Sequence, residues 1–508
     1  MEEDIFKING YELDKEQKEV VLSNNKNILV IAGAGSGKSL TIIGKIKYLI
    51  YKQDINKEEI LCISFTNDSC NSLKQNLLKN GIDIEVLTFH KLGMKILKNG
   101  NKNINIQEFD ILEFTINDFF NQNIFNNHNY IIYILKYTKT KYKNKNYIHK
   151  YKELLNTNKI NNIKQTISKF IHLYKANGYN YEYLETIIKK YNNIFNRRYI
   201  YLLIIITKVM LEYQNNLKEN NLIDFDDIIL LSTKLVNKTN LKYKYIIIDE
   251  FQDTSLTRYN LIKEIIKKTN ANFLAVGDDY QSIYRFTGCD LYLFVNFTKY
   301  FDDSKIYKIQ TTYRNSQELI SIAGKFVQKN KMQIYKNLRS NKKLNVPLKI
   351  VYYTNQNESF IKLLDYLYVQ GKINIMVLIR NNKDINQIKG KNLYIKENKI
   401  IYEKHKEMNI TYLTVHKSKG LEEETVIMIS LENKEWGFPN KIKDEKILKY
   451  ILPKKEKCKY AEERRLFYVG ITRTKNETYL LANKKKPSLF VRELVNYDSK
   501  SIKIIDLW

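Results

Sequence analysis

The segment VIAGAGSGKSLTI, from Val30 to Ile42, constrains the fold of this chain more than any other. The apolar residues that lead into it predict a buried strand, and the residues from Leu40 to Ile46 predict a helix. A glycine-rich turn between a strand and a helix lets backbone N–H groups approach phosphates, and the helix N-terminus adds a favourable field. The segment therefore predicts a phosphate-binding loop, and a nucleoside triphosphatase is the first hypothesis. The alternative is a glycine-rich turn that binds nothing.

Individual positions of this loop have expected roles. Lys38 is expected to reach the β and γ phosphates of a nucleoside triphosphate, and the hydroxyl of Ser39 to hold Mg²⁺. The residues expected to surround the phosphates with their backbone are Ala32, Gly33, Ala34, Gly35, Ser36 and Gly37. Ala32 stands where the usual pattern opens with glycine, and the three glycines after it keep the turn flexible.

Length and charge place further limits on the chain. A length of 508 residues is too great for one core and predicts about three or four domains of ordinary size. The formal net charge of +29 favours a nucleic-acid partner, because neutralisation of phosphates dominates nucleic-acid affinity. The alternative is compositional drift, since Lys, Asn, Ile and Tyr are abundant throughout, as an AT-rich genome would produce.

Cysteine, histidine and signal patterns argue against other classes of protein. The 4 cysteines lie far apart and the 6 histidines do not pair with them at metal-ligand spacing, so neither a zinc nor an iron–sulfur site is expected. The N-terminal MEEDIF has no apolar signal region, and the most apolar stretch, YLLIIITKVML, is too short to span a bilayer. We therefore expect a cytoplasmic protein without a membrane partner.

A second site for phosphate chemistry is predicted in KYIIIDEFQDTS, from Lys244 to Ser255. The apolar run from Tyr245 to Ile248 predicts a buried strand that ends at Asp249 and Glu250. Ligands of open α/β sheets bind at the carboxyl ends of the strands. Asp249 is therefore expected to hold Mg²⁺, and Glu250 to orient or deprotonate the attacking water. An acidic turn on the surface is the alternative.

A third strand is predicted in NFLAVGDDYQSIYRF, from Asn272 to Phe286. Gln281 follows this strand and is expected to sense the γ-phosphate. Tyr284 and Phe286 alternate with other residues, so an extended segment would place both rings on one face, as stacking platforms for unpaired bases. Two rings buried in a core are the alternative.

The motifs occur in the order found in superfamily 1A helicases, and the chain resembles the UvrD/Rep/PcrA family over nearly its whole length. In the first half, the resemblance implies that Gln17, in LDKEQKEVV, reads adenine. It also implies DNA contacts in the FTN and TFH motifs, namely Phe65, Thr66, Asn67, Thr88 and His90, in addition to Tyr284 and Phe286. DFDD, from Asp224 to Asp227, precedes the DEFQDT motif as it does in relatives.

In the second half, the resemblance implies that Tyr313 of TTYRNS stacks on adenine and that Arg314 reaches the γ-phosphate. TVHKSKGLE implies DNA contacts by Thr414 and His416, and nucleotide contacts by Lys419, Gly420 and Glu422. EERRLFYVGITRTK implies a second arginine finger at Arg473, surrounded by Glu462, Arg464, Arg465 and Tyr468. Relatives commonly have tryptophan and arginine where this chain has Phe286 and Thr287, so coupling between DNA and ATP is expected to differ.

The expected fold is α/β, with two RecA-like P-loop NTPase motor domains whose parallel sheets are flanked by helices. Residues 1–99 and 202–295 are assigned to the first motor domain, residues 100–201 to a helical accessory insertion, and residues 296–508 to the second motor domain. Too little chain separates Arg380 from His416 for a folded subdomain. The second accessory subdomain of the family is therefore expected to be missing or much reduced.

The leading function is an ATP-dependent, Mg²⁺-requiring DNA helicase that moves 3′ to 5′ on single-stranded DNA and unwinds tailed or forked duplexes. The first alternative is a DNA-stimulated ATPase that strips proteins, or serves as the motor of a repair, recombination or defence complex. Such a motor would need a repair, replication or nuclease protein in order to unwind. The second alternative, an inactive binding module, is least favoured because the residues expected for turnover are all present.

Overall fold

A computed structural model describes residues 5–100, 105–106, 110–143, 145–191, 196–390, 392–453, 456–497 and 500–506. Its strands are β1 (Lys7–Ile8), β2 (Tyr11–Glu12), β3 (Asn27–Ala32), β4 (Ile60–Ile63), β5 (Val86–Leu87), β6 (Asn105–Ile106), β7 (Leu222–Ile223), β8 (Tyr245–Ile248), β9 (Asn272–Gly277), β10 (Ser304–Ile309), β11 (Leu348–Tyr353), β12 (Asn374–Ile379), β13 (Leu393–Lys396), β14 (Lys399–Tyr402), β15 (Asn409–Thr414), β16 (Glu423–Leu431), β17 (Thr474–Asn483) and β18 (Ile502–Ile505).

Its α-helices are α1 (Lys15–Leu22), α2 (Lys38–Tyr51), α3 (Asn67–Lys79), α4 (Phe89–Asn99), α5 (Ile111–Asn121), α6 (His128–Thr138), α7 (Tyr147–Leu155), α8 (Asn158–Ala176), α9 (Tyr181–Tyr191), α10 (Arg197–Glu219), α11 (Phe225–Leu235), α12 (Leu256–Thr269), α13 (Leu291–Val295), α14 (Phe297–Tyr300), α15 (Gln317–Val327), α16 (Gln356–Val369), α17 (Ala461–Ile471) and α18 (Leu489–Val495). Among the described residues, no helix is both long enough and apolar enough to cross a membrane.

The first sheet has the strand order β10-β3-β9-β8-β4-β5, and its pairings are parallel. Buried apolar residues fill its central strands and pack against helices on both faces. Such continuous apolar runs are what a parallel sheet covered on both faces requires. Strands β3, β8 and β9 are neighbours, so their carboxyl ends meet at one edge of the sheet. We call the part of the chain built on this sheet the first unit.

Strand β10 extends the first sheet beyond the boundary expected from the sequence. Residues Ser304–Ile309 pair in parallel with Asn27–Ala32, at the far edge from β5. A strand that shares backbone hydrogen bonds with β3 is part of the same sheet. We therefore propose that the first unit reaches at least Ile309 instead of ending at residue 295.

The second sheet has the strand order β13-β14-β15-β12-β16-β17-β11-β18 and defines the second unit. Its pairings are parallel except for those of β14 with β13 and with β15. The antiparallel hairpin β13–β14 lies between Arg380 and His416, where the sequence predicts a missing or reduced subdomain. Two parallel-dominated sheets flanked by helices confirm the predicted α/β class.

Helices α5 to α10 form a helical insertion in the first unit, between β5 and β8. The predicted helical spacing in KQTISKFIHLYK corresponds to α8, whose Ile163, Ile167 and Phe170 are buried in the core of the insertion. Helix α10 runs without a break from Arg197 to Glu219. Since one continuous helix crosses the expected boundary at residue 201, we propose that the insertion extends to about Glu219.

Residues 444–453, here called the clasp segment, connect the second unit to the helical insertion. This segment lies between β16 and α17 of the second unit. Ile447, Leu448 and Ile451 are at most 1% exposed and belong to the core of the insertion. The side-chain amide of Asn177 donates a hydrogen bond of 3.2 Å to the carbonyl of Ile451. The clasp segment therefore packs against a part of the chain far from it in sequence.

Ile447→Ala is expected to lower the free energy of unfolding by about 2 to 5 kcal/mol, because it leaves a cavity in the shared core. Ile442, also an isoleucine of the β16–α17 connection, is 41% exposed and serves as the matched control. Ile442→Ala should change stability by less than about 0.5 kcal/mol. Urea unfolding monitored by circular dichroism measures both variants. Equal stability of the two would contradict the packing of the clasp segment.

Candidate nucleotide site and adjoining cleft

The predicted phosphate-binding loop joins β3 to α2 as a tightly wound turn. Gly35 and Gly37 have φ angles of 70° and 76°, in the left-handed region that favours glycine. The hydroxyl of Ser36 donates to the carbonyl of Gly33 at 2.9 Å. Lys38 is the first residue of α2, so its side chain and the free N–H groups of the helix start lie at the same end of the loop.

Residues that follow β10 lie directly on this loop. The backbone N–H of Tyr313 donates to the carbonyl of Gly35 at 2.9 Å, and the hydroxyl of Thr312 donates to that of Ala34 at 2.7 Å. A Cβ atom on Gly35 would lie 2.4 Å from the Cβ of Arg314. Glycine is therefore required at this position by close approach as well as by its φ angle.

Asp249 and Glu250 follow β8 at the same edge of the sheet. The backbone N–H of Asp249 donates to the carbonyl of Ile63 at 2.9 Å, and Glu250 has a φ angle of 54°. The Glu250 carboxylate lies 3.8 Å from Nζ of Lys38 and 3.5 Å from Nζ of Lys419. Glu250 thus lies between a lysine of the first unit and a lysine of the second.

The two neighbouring carboxyl groups have opposite pKa shifts. Burial and the charge of Glu250 raise the pKa of Asp249 to about 7. Burial also opposes ionisation of Glu250, but the ammonium groups of Lys38 and Lys419 lower its pKa to about 2. Glu250 is therefore ionised at neutral pH, the state required of a group that accepts a proton or orients water.

The residues present fit a magnesium ion. Asp249 and Ser39 supply a carboxylate and a hydroxyl, the hard oxygen ligands that Mg²⁺ prefers. Ser64 follows β4, which pairs with β8, and its buried hydroxyl has no hydrogen-bond partner among the residues that the structure describes. Such an unsatisfied hydroxyl at this edge of the sheet is suited to a polar ligand or a water molecule.

Gln281 connects the first unit to Arg473 of the second. Its side-chain oxygen accepts a hydrogen bond of 3.2 Å from Arg473, and its amide nitrogen donates to Asp278 at 2.7 Å. Arg473 otherwise donates to the carbonyls of Val469 and Leu421, at 3.0 Å and 3.3 Å. Burial and the nearby charge of Arg314 lower the pKa of Arg473 to about 9.

Arg473 has no salt bridge among the residues that the structure describes, whereas Arg314 has one. Nε of Arg314 donates to the carboxylate of Glu422 at 2.5 Å, and Lys475 lies 3.5 Å from the same group. Arg314 must exchange Glu422 for phosphate in order to act as a finger. Gly420, with a φ angle of 88°, lies next to this pair in sequence.

The predicted adenine contacts lie together at the N-terminus of α1. Gln17 is 1% exposed, and its amide donates to the carbonyl of Ser36 at 3.1 Å. The hydroxyl of Tyr313 donates to Asp14 at 2.7 Å, and Asp14 also forms a capping box with Gln17. The ring of Tyr313 is 56% exposed and can stack, whereas the polar atoms of Gln17 are already paired within the protein.

A cleft of about 890 Å³ lies between the first unit and the helical insertion. Of the predicted DNA contacts, His90 and Phe286 line it. Other residues line it that the sequence motifs did not indicate as DNA contacts, including Lys164, Lys169, His172, Phe225 and Arg258. Phe225 lies within the DFDD motif and could have been found, since an aromatic residue between acidic ones is poorly suited to a core.

Residues Arg285–Thr287 form a short 3₁₀ turn, so this segment is not extended, and the rings of Tyr284 and Phe286 meet edge to face with their centroids 6.1 Å apart. The hydroxyl of Tyr284 donates to the carbonyl of His416 at 3.1 Å, which holds the ring at the second unit. Phe286 is 45% exposed, and its ring centroid is 5.6 Å from that of His416. The turn therefore presents Phe286, rather than both rings, to the cleft.

Tyr284 and His416 do not line this cleft in the described part of the chain, and neither do the five other predicted DNA contacts. They are Phe65, Thr66, Asn67, Thr88 and Thr414. Thr66 and Thr88 cap the N-termini of α3 and α4 through their hydroxyl oxygens. Phe65 packs against Phe89 at a centroid distance of 5.8 Å, with Arg258 over its ring. Thr66, Thr88 and Phe65 therefore have structural roles of their own.

Gly35→Ala is expected to weaken binding of a nucleoside triphosphate about tenfold or more, since the added Cβ displaces Arg314 from the loop. Gly81→Ala is the matched control, because Gly81 has a φ angle of 71° but nothing within 4 Å of its Cβ position. Both variants bear the left-handed strain of about 1 to 2 kcal/mol. Titration with a fluorescent ATP analogue measures the affinity of both variants, so the effect of close approach is compared with that of left-handed strain alone. Equal affinities would contradict the role of close approach.

Comparison with known proteins agrees with this geometry. The UvrD/REP helicase N-terminal domain matches residues 13–302, and the UvrD-like helicase C-terminal domain matches residues 391–485. DNA helicase IV of Escherichia coli is 25% identical over 505 residues, covering 96% of this chain and 70% of that protein. ATP-dependent DNA helicase Rep of Buchnera aphidicola (subspecies Schizaphis graminum) is 28% identical over 376 residues, covering 72% of this chain and 51% of Rep.

ATP-dependent DNA helicase PcrA of Bacillus subtilis is 27% identical over 358 residues, covering 68% of this chain and 43% of PcrA. The chain thus spans about half of Rep, somewhat less of PcrA, and a larger part of helicase IV. The two parallel-dominated sheets are those of the RecA-like motor domains of UvrD-like helicases. By its match over residues 13–302, more than half of its length, this chain belongs to the UvrD/REP helicase family.

Proposed function

We propose that this chain is an ATP-dependent DNA motor that moves 3′ to 5′ on single-stranded DNA and unwinds tailed or forked duplexes. The observation that carries the proposal is the contact of both units at the candidate nucleotide site. Lys419 of the second unit lies 3.5 Å from Glu250 and donates to the carbonyl of Gln281 at 2.9 Å, while Glu250 lies 3.8 Å from Lys38 and Arg473 donates to Gln281. Membership of the UvrD/REP helicase family supports the same proposed function.

The two units supply complementary parts of an ATP site. The loop and Lys38 bind the phosphates, while Ser39 and Asp249 hold Mg²⁺, which neutralises phosphate charge when bound. Glu250 accepts a proton from, or orients, the attacking water. Arg314 and Arg473 stabilise the charge that develops on the transferred phosphoryl group. Arginine fingers of this kind contribute about 10³ to 10⁵ in rate.

Gln281 is proposed to couple hydrolysis to DNA. Its side chain contacts Arg473, and the same segment of chain continues through Tyr284 to Phe286 in the cleft. Tyr284 also donates to the carbonyl of His416 in the second unit. Loss of the γ-phosphate removes a ligand from Arg473 and Gln281. A resulting movement of Gln281 is passed to the cleft along the same segment, through Tyr284 to Phe286. Repeated closing and opening of the two units would step the motor along the strand.

Single-stranded DNA is proposed to occupy the cleft between the first unit and the insertion. Phe286 and Phe225 are exposed aromatic side chains that suit base stacking. Lys164 and Lys169 of α8 and Arg258 provide cations for the backbone. Carboxylates, including Asp110 and Glu113, also line the cleft, so the phosphates are placed on the lysine side.

A second candidate function is a DNA-stimulated translocase that needs a repair, replication or nuclease protein in order to unwind. The observation that favours it is the short hairpin β13–β14 between β12 and β15. An additional subdomain at this position would offer surface for gripping a duplex, and a hairpin offers little. Without such a surface the motor could walk on one strand and leave the duplex closed.

ATP hydrolysis and strand separation on 3′-tailed, 5′-tailed and blunt duplexes, with Mg²⁺, test the proposal. DNA-stimulated hydrolysis and separation of the 3′-tailed duplex alone are expected. Glu250→Gln should retain binding of ATP and DNA but abolish turnover, because the amide cannot accept the proton of water. Glu85→Gln, at a surface salt bridge with Lys95, is the matched control and should turn over normally.

The outcomes separate the candidates. Hydrolysis stimulated by single strands without separation of any duplex would favour the partner-dependent translocase. Separation of the 5′-tailed duplex would reverse the proposed direction. Absence of DNA-stimulated hydrolysis would overturn both candidates, and near-normal turnover by Glu250→Gln would remove Glu250 from its role.

Phe286→Ala is expected to weaken binding of single-stranded DNA by about 1 to 3 kcal/mol, the contribution of one base stacked on an aromatic ring. The matched control is Tyr394→Ala, since Tyr394 is 50% exposed but lies on the β13–β14 hairpin, away from the cleft-lining residues. Fluorescence anisotropy with a labelled oligonucleotide measures both. If the two variants bind alike, Phe286 is not a stacking platform.

A further inference from the structure

Lys336 forms a buried ionic group with two adjacent carboxylates of the first unit. The side chains of Lys336, Asp278 and Asp279 are all 0% exposed. Nζ of Lys336 lies 2.6 Å from Asp279, contacts Asp278 as well, and is 3.5 Å from the ring centroid of Tyr280. No other cation in the described part of the chain forms a salt bridge with either carboxylate.

The lysine is held in place by its own segment of chain. The side chain of Gln333 and the backbone N–H of Ile334 each donate to Asp279 at 2.7 Å. This segment follows α15, more than fifty positions from the carboxylates in sequence. Gln333, Ile334 and Lys336 therefore connect this segment to the two carboxylates that follow β9.

Asp278 links Lys336 to the nucleotide site. Its second oxygen accepts a hydrogen bond of 2.7 Å from the amide nitrogen of Gln281. With its nitrogen engaged, Gln281 turns its oxygen towards Arg473, which donates to it at 3.2 Å. Lys336, Asp278, Gln281 and Arg473 thus form one continuous series of polar contacts.

The charge of Lys336 determines what Asp278 can do. Two adjacent buried carboxylates without a cation cannot both remain ionised, and one of them takes up a proton. A protonated Asp278 can donate as well as accept, so the side-chain amide of Gln281 could bind it in either orientation. Paired with Lys336, Asp278 only accepts, which selects the orientation in which the oxygen of Gln281 faces Arg473.

We propose that Lys336 is a positioning residue for ATP turnover, which acts through Asp278 on the orientation of Gln281 and hence on Arg473. The inference rests on the ATPase function proposed above. The alternative is that Lys336 only neutralises buried charge and so stabilises the fold. The two roles differ because only in the positioning role does the effect of replacing Lys336 on kcat depend on Gln281.

The test is a double-mutant cycle in DNA-stimulated ATP hydrolysis with Lys336→Met, Gln281→Ala and the combined variant. Lys336→Met is expected to lower kcat about tenfold or more while the KM for ATP changes less than about threefold, because the phosphate-binding loop is untouched. In the Gln281→Ala background, Lys336→Met should lower kcat by less than about twofold. If Lys336 were purely structural, the factors by which the two substitutions lower kcat would multiply in the combined variant.

Two further variants keep the test decisive. Lys336→Met combined with Asp278→Asn removes one cation and one anion, so the buried net charge is unchanged and folding is expected. The amide of asparagine can both donate to and accept from Gln281, so the loss of kcat should persist. Lys45→Met is the matched control, since Lys45 is also 0% exposed but donates to the carbonyls of Val21 and Ser23. It should lower the unfolding temperature without changing kcat.

The inference is overturned if Lys336→Met with Asp278→Asn hydrolyses ATP like the unmodified chain, or if the effects of Lys336→Met and Gln281→Ala on kcat multiply. An equal loss of kcat in Lys45→Met would also overturn it, since any buried lysine would then have the same effect. These results differ from failure of the proposed function, in which the unmodified chain itself shows no DNA-stimulated hydrolysis.

Discussion

The close approach of two distant chain segments over the phosphate-binding loop is the contact on which the rest of the site depends. The positions where Gly33 and Gly35 would carry a Cβ are taken by Leu338 and Arg314. Thr312 donates to the carbonyl of Ala34, 278 positions earlier in the chain. This contact packs the loop against the segment that follows β10 and brings Arg314 next to the loop. Glycine at these two positions is therefore a condition for the contact.

Charge pairing across the interface between the two units concentrates buried charges at the proposed nucleotide site. Lys419 of the second unit forms a salt bridge with Asp253 and lies near Glu250 of the first. Arg473, by contrast, is buried against carbonyl groups and the amide of Gln281. Charges in a water-excluded cleft interact far more strongly than charges in water. A cation that is buried without a carboxylate partner, as Arg473 is among the described residues, is suited to an anionic ligand.

The helical insertion belongs to the first unit by sequence, yet part of its core comes from the second. Ile447, Leu448 and Ile451 of the clasp segment pack among its helices. Arg285 strengthens the connection, since it donates to Asp444 at 2.6 Å and to Glu462 of α17 at 3.3 Å. Any movement between the two units must therefore move the insertion or stretch the clasp segment. The proposed nucleotide site between the units and the proposed DNA cleft beside the insertion are connected through the clasp segment in this way.

The sequence by itself determined where each motif lies relative to its strand, because a strand, a turn and the residues at its end are consecutive. The loop at Lys38, the carboxylates after β8 and Gln281 after β9 could all be located in this way, and the α/β class could be predicted. Only the tertiary structure decided which segments share a sheet, a core or an ion pair. Strand β10 pairs with β3, and Lys336 with Asp278, through contacts between residues far apart in sequence. Such pairings depend on burial and hydrogen bonding between residues that are far apart in sequence. They therefore produce no recognisable pattern in the local sequence.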